Sequence, residues 1–319
     1  MIKWLEVPTK NALDKFDSIE VKGSEIIEQL ELSNDYYIRF SPNKDLTLSY
    51  NIKDFIHPLG KLGRIMYEEK NYKGLRSSLQ MYWGYKGEPT VSFDVAKAIG
   101  EDGTGCVTLR NKLLKTDEEN ISVRSFMSRI PLDVISPKLD RLIVGGEGDH
   151  IELQFLAQSC RKEVSKGDFI DPGIFVKLNG KIEVSPGISR LVCTNGLIEQ
   201  MNMWENASLD FLSDREMFTR ALTMSDWLIS KSGHKVNSVR EISAALGDTY
   251  RKSLLNRYWR SWSERIELKE LDWYTVIADL TSFANRSLSN ERYELLEIPA
   301  LITKIEKEGH CPTCSAEVK

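Results

Sequence analysis

Histidine is scarce in this sequence, with four in 319 residues, and no serine sits in the strained strand-to-helix turn of a hydrolase nucleophile. With the carboxylates lying mainly on expected surfaces, no constellation announces catalysis. Long apolar runs are also missing. No stretch of about 18 apolar residues occurs, so no membrane-spanning helix is expected. The opening MIKWLEVPTKNALDK lacks the basic, apolar and small-residue succession of a secretory signal, and the expectation is a cytoplasmic protein with no membrane role. Cysteine is sparse and odd in number, at 106, 160, 193, 311 and 314, without framework spacing. That argues for reduced thiols and against a structural disulfide. Nor is there an excess of positive charge. With 43 Lys and Arg against 47 Asp and Glu the net charge is -4 and the pI about 5.8, so binding to phosphates would have to come from a local patch.

What is present is organised around Gly167 to Asn202. Ile174, Val176 and Leu178 alternate on one face of an extended run, and Asn179-Gly180 is a turn dipeptide that reverses the chain into a second strand, Lys181 to Val184. Ser185-Pro186-Gly187 should make the chain leave or kink the sheet. An apolar run then closes on Asn195-Gly196, and a helical pattern opens at Leu197. Arg190, Cys193, Asn195 and Gly196 form the signature turn of this region. The plainer reading makes Cys193 a small buried hydrophobe and gives Asn195-Gly196 the backbone conformations of the turn. The chemical reading makes Cys193 a nucleophile, which would need a base brought from elsewhere, such as His150 or His234.

Other segments fill in an α+β fold, with an antiparallel β-rich N-terminal and central part followed by a helical C-terminal part. Asp35 to Phe40 reads as a strand, and the rest of the first forty residues as an unsettled N-terminal arm or an edge element. Phe55, Ile56, Leu59, Leu62, Ile65 and Met66 recur at helical spacing but are interrupted by Pro58 and two glycines, which predicts a broken helix. SSLQMYWGY reads as a strand and VSFDVAKAIG as a short helix. Further strands are expected at Cys106 to Leu114, Ile121 to Arg129 and His150 to Ala157, the last with one face on the core and the other toward solvent or a partner. The glycine-rich segments Gly100 to Gly105 and Gly145 to Asp149 read as surface loops. Ser213-Asp-Arg-Glu216 is a capping box before a helix, Ser238-Val-Arg-Glu241 a second, and Asp272 can cap a third. The organisation expected is residues 1–196 as the β-rich part, 197–308 as helices packed on it in one unit, and 309–319 as a tail.

Two C-terminal stretches suggest ligands. Tyr250 to Arg265 interleaves basic and aromatic residues, as single-stranded nucleic acid requires, since bases stack on rings while cations follow phosphates. On a helix, Tyr250, Leu254, Tyr258 and Trp262 fall on one side and Lys252, Arg257 and Arg260 on the other. The cations are then either a solvated face or a phosphate-contacting one. Ser238 to Lys252 also has the outline of a helix-turn-helix. In the tail, Cys311 and Cys314 form a Cys-x-x-Cys pair that, with His310, supplies part of a zinc site.

The string VSPGISRLVCTNGLIEQ resembles the signature of a phage and plasmid-like family known as domain of unknown function 932, whose members carry such a segment after a β-hairpin. Ile121 to Asp133 is similar to the family's stretch ahead of the hairpin, and Trp273 to Asn285 to its late helix, so the resemblance covers roughly residues 90 to 300. It implies a mobile-element setting in a bacterial host and brings no catalytic residues. The expectation is therefore a non-enzymatic DNA-binding protein, a single-strand binding or annealing factor in which Lys252, Arg257 and Arg260 touch phosphates and a homo-oligomer supplies a continuous groove. The alternatives are an interaction protein that engages a host or defence component through Trp and Tyr anchors, and a hydrolase with an unrecognised site.

Overall fold

The structure, a computed structural model, describes residues 3–43, 46–100, 103–114, 121–147, 150–165, 167–178, 181–191, 197–200, 205–206, 215–230, 232–233, 272 and 274–275. Its fold is α+β, and every strand pairing among the described residues is antiparallel.

The chain enters through β1 (Lys3–Pro8), β2 (Phe16–Lys22) and α1 (Gly23–Ile27). It then makes the hairpin β3 (Tyr37–Asn43) and β4 (Leu46–Asn51), and the helices α2 (Lys53–Ile56), α3 (Gly60–Glu68) and α4 (Tyr72–Lys86). The broken helix is realised as α2, a 3-10 turn at His57–Leu59 carrying Pro58, and α3. SSLQMYWGY lies in α4 and is not a strand. Leu75, Leu79 and Trp83 recur every four residues and are its buried positions, so tertiary packing on one stripe overrides the β preference of its aromatics.

VSFDVAKAIG is likewise not a helix but most of β5 (Thr90–Gly100), which pairs with β2 and with β6 (Gly103–Leu114). Val91, Phe93 and Val95 pack into one hydrophobic core, while Ala96 joins another together with Phe16 and Leu109. Val91, Phe93 and Val95 in fact alternate with Ser92 and Asp94, the period of a strand, and the ladders to β2 and β6 realise that period. Ile121 to Arg129 is also no strand: it forms α5 (Val123–Ser128), whose N-cap Ser122 accepts from the Ser125 N–H at 3.0 Å. A buried ion pair, Asp94 with Arg110, ties this helix to the β5–β6 hairpin, because Asp94 accepts the Val123 N–H at 2.9 Å and Arg110 donates to the Ile121 carbonyl at 2.8 Å.

Beyond α6 (Leu132–Ile135) lies the largest sheet, with strand order β1, β7 (Arg141–Glu147), β8 (His150–Leu156), β10 (Asp168–Leu178), β11 (Ile182–Leu191), β12 (Leu197–Gln200), plus β9 (Lys162–Ser165) on β10 and β13 (Glu205–Asn206) on β11. The N-terminal segment is thus an edge strand, Leu5 facing Val144, which is the edge element of the two forms expected for it. The hairpin across residues 179–180 is as expected, Leu178 facing Ile182. The chain does not leave the sheet at Pro186, which stays in register opposite Ile174. On the outer side of β11, β13 pairs with residues 183 and 184 and β12 with 187 to 190, so Pro186, which has no N–H to give, falls between the two partners. Leu197 opens a strand instead of a helix, since antiparallel return along β11 gives its backbone ladder partners at once. Helix returns with α7 (Arg215–Ser230), two residues past the Ser213 of the expected capping box, burying Met217, Ala221, Met224 and Leu228.

One face of the large sheet, with Val144, Leu153, Phe155, Ile174, Val176 and Val184, builds the main core. The other face was expected to meet solvent or a partner, yet along β8 both faces are buried.

Candidate functional site

That second face is the first candidate. Glu152, Gln154, Asp171, Ser185 and Ser189 are all buried on it, around a small apolar cluster of Ile143, Leu156 and Phe175. Buried charge must be paired. Asp171, with no exposed surface, accepts from Arg141 Nη1 at 3.0 Å and from Arg161 Nε and Nη2 at 2.7 and 2.8 Å, and Arg141 donates onward to both Glu6 oxygens at 2.6 and 2.5 Å. The Asp171 hydrogen bonds hold the Arg161 guanidinium above its ordinary pKa. Glu183 is bridged by Lys181 at 2.9 Å and Lys177 at 3.3 Å. Burial works to raise its carboxyl, but the two lysines together outweigh it and hold it below the usual carboxylate range. The charges of this face compensate one another, so it binds strands together and leaves no surplus for a charged ligand.

The second candidate is the surface built by α2, α3, α4 and the β3–β4 hairpin. Between Lys53 and Lys86 the sequence holds seven cations against three anions, a local net charge of +4 in a chain of net -4. Lys53, Lys61, Lys70 and Lys73 are exposed. Arg64 is shared with Glu68 at 3.1 Å, and Arg76 donates to the Ile27 and Glu28 carbonyls at 3.2 and 3.3 Å, pinning α4 to α1. Seven of the eleven tyrosines lie between residues 36 and 85. Tyr85 and Met81, one turn apart on α4, are 82% and 78% exposed, with the Lys86 ammonium 5.0 Å from the Tyr85 ring centroid. Leu62 and Ile65 project from α3 into solvent, and Tyr37 from β3. α3 and α4 are joined by a tight turn in which Lys70 takes φ 56° and Asn71 caps α4, accepting the Gly74 N–H at 3.1 Å.

The hairpin entering this surface is strained. Asn34 and Tyr37 exchange backbone hydrogen bonds of 2.8 and 2.9 Å, and both residues between them are left-handed, Asp35 at φ 49° and Tyr36 at φ 65°. The second such position is usually glycine, and a tyrosine there costs about 1–2 kcal/mol. Neighbours hold it in place: the Tyr36 N–H donates to Tyr67 Oη at 2.9 Å, and the two rings stack at 4.2 Å with an interplanar angle of 23°. Burial and the Glu68 carboxylate, 3.5 Å from its hydroxyl, raise the Tyr36 pKa.

Of the residues the sequence singled out, Arg190 lies near the end of β11, opposite Ile170 and Leu197, so the signature segment connects two antiparallel strands and no strand to a helix. Cys193, Asn195 and Gly196, the phosphate candidates Lys252, Arg257 and Arg260, and the zinc candidates His310, Cys311 and Cys314 lie outside the described residues. Asp272 does act as a cap, accepting the Thr275 N–H at 2.7 Å and also the Gly233 N–H at 2.7 Å. Among the described residues no group of His, Cys, Asp and Glu could hold a metal ion, Cys160 is an unpaired half-buried thiol, and no helix is long and apolar enough to cross a membrane. The α2–α4 surface was missed because it was read only for periodicity; its local charge and tyrosine density were the available signals. Comparison with protein-family models, with curated proteins and with solved structures finds no match to this chain.

Proposed function

We propose that this chain is a non-enzymatic single-stranded-DNA-binding protein of a mobile element, with the α2–α4 surface as a contact face. The observation that carries this reading is that the segment building this surface, Lys53 to Lys86, has a net charge of +4, carries the exposed Tyr85 and lies beside the exposed Tyr37, in a chain that is acidic overall. Cations follow phosphates and rings take bases, and neither contact needs a particular sequence. The likeness of RLVCTNG to the phage and plasmid-like family supports the mobile-element setting. Lys252, Arg257 and Arg260 remain candidate phosphate contacts, and a homo-oligomer would extend the face into a groove.

A salt titration of binding to fluorescent oligo-dT tests it. Engagement of four phosphates gives a log-log slope of about -3, at about -0.7 per phosphate. Neutralising Lys61 and Lys73 together should weaken binding and flatten that slope. No binding at low salt would overturn the reading. The exposed Tyr85 and Met81, with Leu62 and Ile65 also exposed, would then favour the second one, a protein-interaction surface for a host component, because tyrosine and methionine are enriched at interfaces.

A further inference from the structure

The stacked pair Tyr36–Tyr67 has one face closed and one guarded. Tyr67 covers one side of the Tyr36 ring at 4.2 Å, which leaves the Lys53 ammonium, 5.0 Å from the Tyr36 centroid, to the other side. Lys53 is exposed at the start of α2. Its long stem lets the ammonium swing aside at little cost, whereas Tyr36 is held at its backbone and against Tyr67. The left-handed turn, the hydrogen bond from its N–H to Tyr67 Oη and the backbone bond from the Ile52 N–H to the Tyr36 carbonyl at 2.9 Å fix its backbone, and stacking on Tyr67 holds the ring. Tyr37, half exposed, follows directly. A tyrosine held where glycine is the ordinary choice is a strained residue kept by its surroundings, and such residues concentrate at binding sites.

We infer that Tyr36 is a stacking platform for one nucleobase of a single strand: the base takes the place of Lys53 on the ring, and the displaced ammonium moves to the adjoining phosphate. The inference deepens the single-strand reading above and rests on it. The chemistry is that of aromatic stacking joined to a mobile cation. Glu68, near the Tyr36 hydroxyl, is itself paired with Arg64, which limits its repulsion of a phosphate.

The test uses the full chain, fluorescent oligo-dT and a strand of the same length with the bases deleted at every position. Wild type should bind oligo-dT more tightly than the abasic strand by about five-fold or more, the range for a stacked base. Tyr36→Gly suits the left-handed backbone and deletes only the ring. It should lose at least about five-fold of that preference while binding the abasic strand as wild type does. Tyr36→Asn, also tolerant of positive φ, should behave the same, and both variants should keep the wild-type circular dichroism spectrum. Lys53→Met should weaken binding to both strands and reduce the salt slope by about 0.7. If wild type binds oligo-dT and both Tyr36 variants bind it equally well, the platform is refuted while the single-strand reading stands. If wild type binds neither strand at low salt, both fall together.

Discussion

Asp171→Asn should be among the most damaging single changes in the large sheet. Asp171 is fully buried and receives three charged hydrogen bonds, one from Arg141 and two from Arg161. Asparagine keeps one acceptor but turns an N–H₂ toward a guanidinium, leaving buried positive charge uncompensated. Breaking a buried pair in this way costs about 3–5 kcal/mol. The side chain of Arg161, 29% exposed, can relax toward water, whereas that of Arg141, at 9%, cannot. The expected cost is therefore near the lower end, about 3 kcal/mol. The Glu6 side chain holds the other side of Arg141 but is 55% exposed, so Glu6→Gln should cost only about 0–1 kcal/mol. Urea unfolding followed by circular dichroism measures both, at unchanged m-value. Adding Arg141→Met to Asp171→Asn should recover part of the loss, because the stranded charge goes while its apolar stem stays. A cost below about 1 kcal/mol for Asp171→Asn, or a Glu6→Gln cost equal to it, would refute this account of the network.

Glycine substitutions should give opposite signs. A Cβ at Gly146 would sit 2.1 Å from the Leu109 carbonyl oxygen, where β6 crosses β7, so Gly146→Ala should destabilise by about 1–3 kcal/mol in urea unfolding. Gly84 is exposed within α4 with nothing near its missing Cβ, and Gly84→Ala should stabilise by about 0.5–1 kcal/mol, seen as a rise in Tm. For pH, Glu183 is held below the usual carboxylate range, so its contribution is present above the unfolded-state pKa and is lost as pH falls through the lower folded value. Glu183→Gln should therefore lower stability at pH 7 and flatten the acid limb of a stability-pH curve, and an unchanged limb would count against the lysine bridges.

The elements that could be read in advance were those whose local pattern and tertiary environment agree. The break at Pro58, the hairpin around residues 179–180, the helix that became α7 and the Asp272 cap all follow from signals that packing does not reverse. The misread elements share a different cause. β5 alternates as a strand only from Thr90 to Val95; past the register shift at Asp94 and Val95 the run Val95-Ala-Lys-Ala-Ile99 loses that period, and its buried side chains go to two cores. The alternating Glu152 and Gln154 of β8 suggest a solvent face, yet both are buried and Gln154 Nε2 donates to Glu152 Oε1 at 2.9 Å. A sequence shows that a residue is polar; it does not show that a partner comes from a strand elsewhere in the chain. Asp171 is the extreme case, its three donors belonging to residues 10 and 30 positions earlier.

The same limit bears on the proposed binding surface. Tyrosine density between residues 36 and 85 is visible in the sequence, but which rings face solvent is decided by packing. Tyr50 is buried against Phe55 and Phe93, and its hydroxyl, donating to Asp54 at 3.4 Å, has its pKa raised strongly by burial and by that carboxylate. It belongs to the core. Tyr85 lies on the far side of α4 from Leu79 and Trp83 and is almost wholly exposed, because at about 3.6 residues per turn a position two residues past Trp83 falls off their stripe. Tyr36 is neither: one ring face rests on Tyr67 and the other on a cation that can leave. Net charge hides the setting in the same way, since the whole-chain value of -4 averages the basic segment Lys53 to Lys86 with acidic segments elsewhere. Electrostatic attraction responds to the potential within about one Debye length, roughly 10 Å at 0.1 M salt, so under the proposed reading the local +4 and not the total would govern how a strand meets this face.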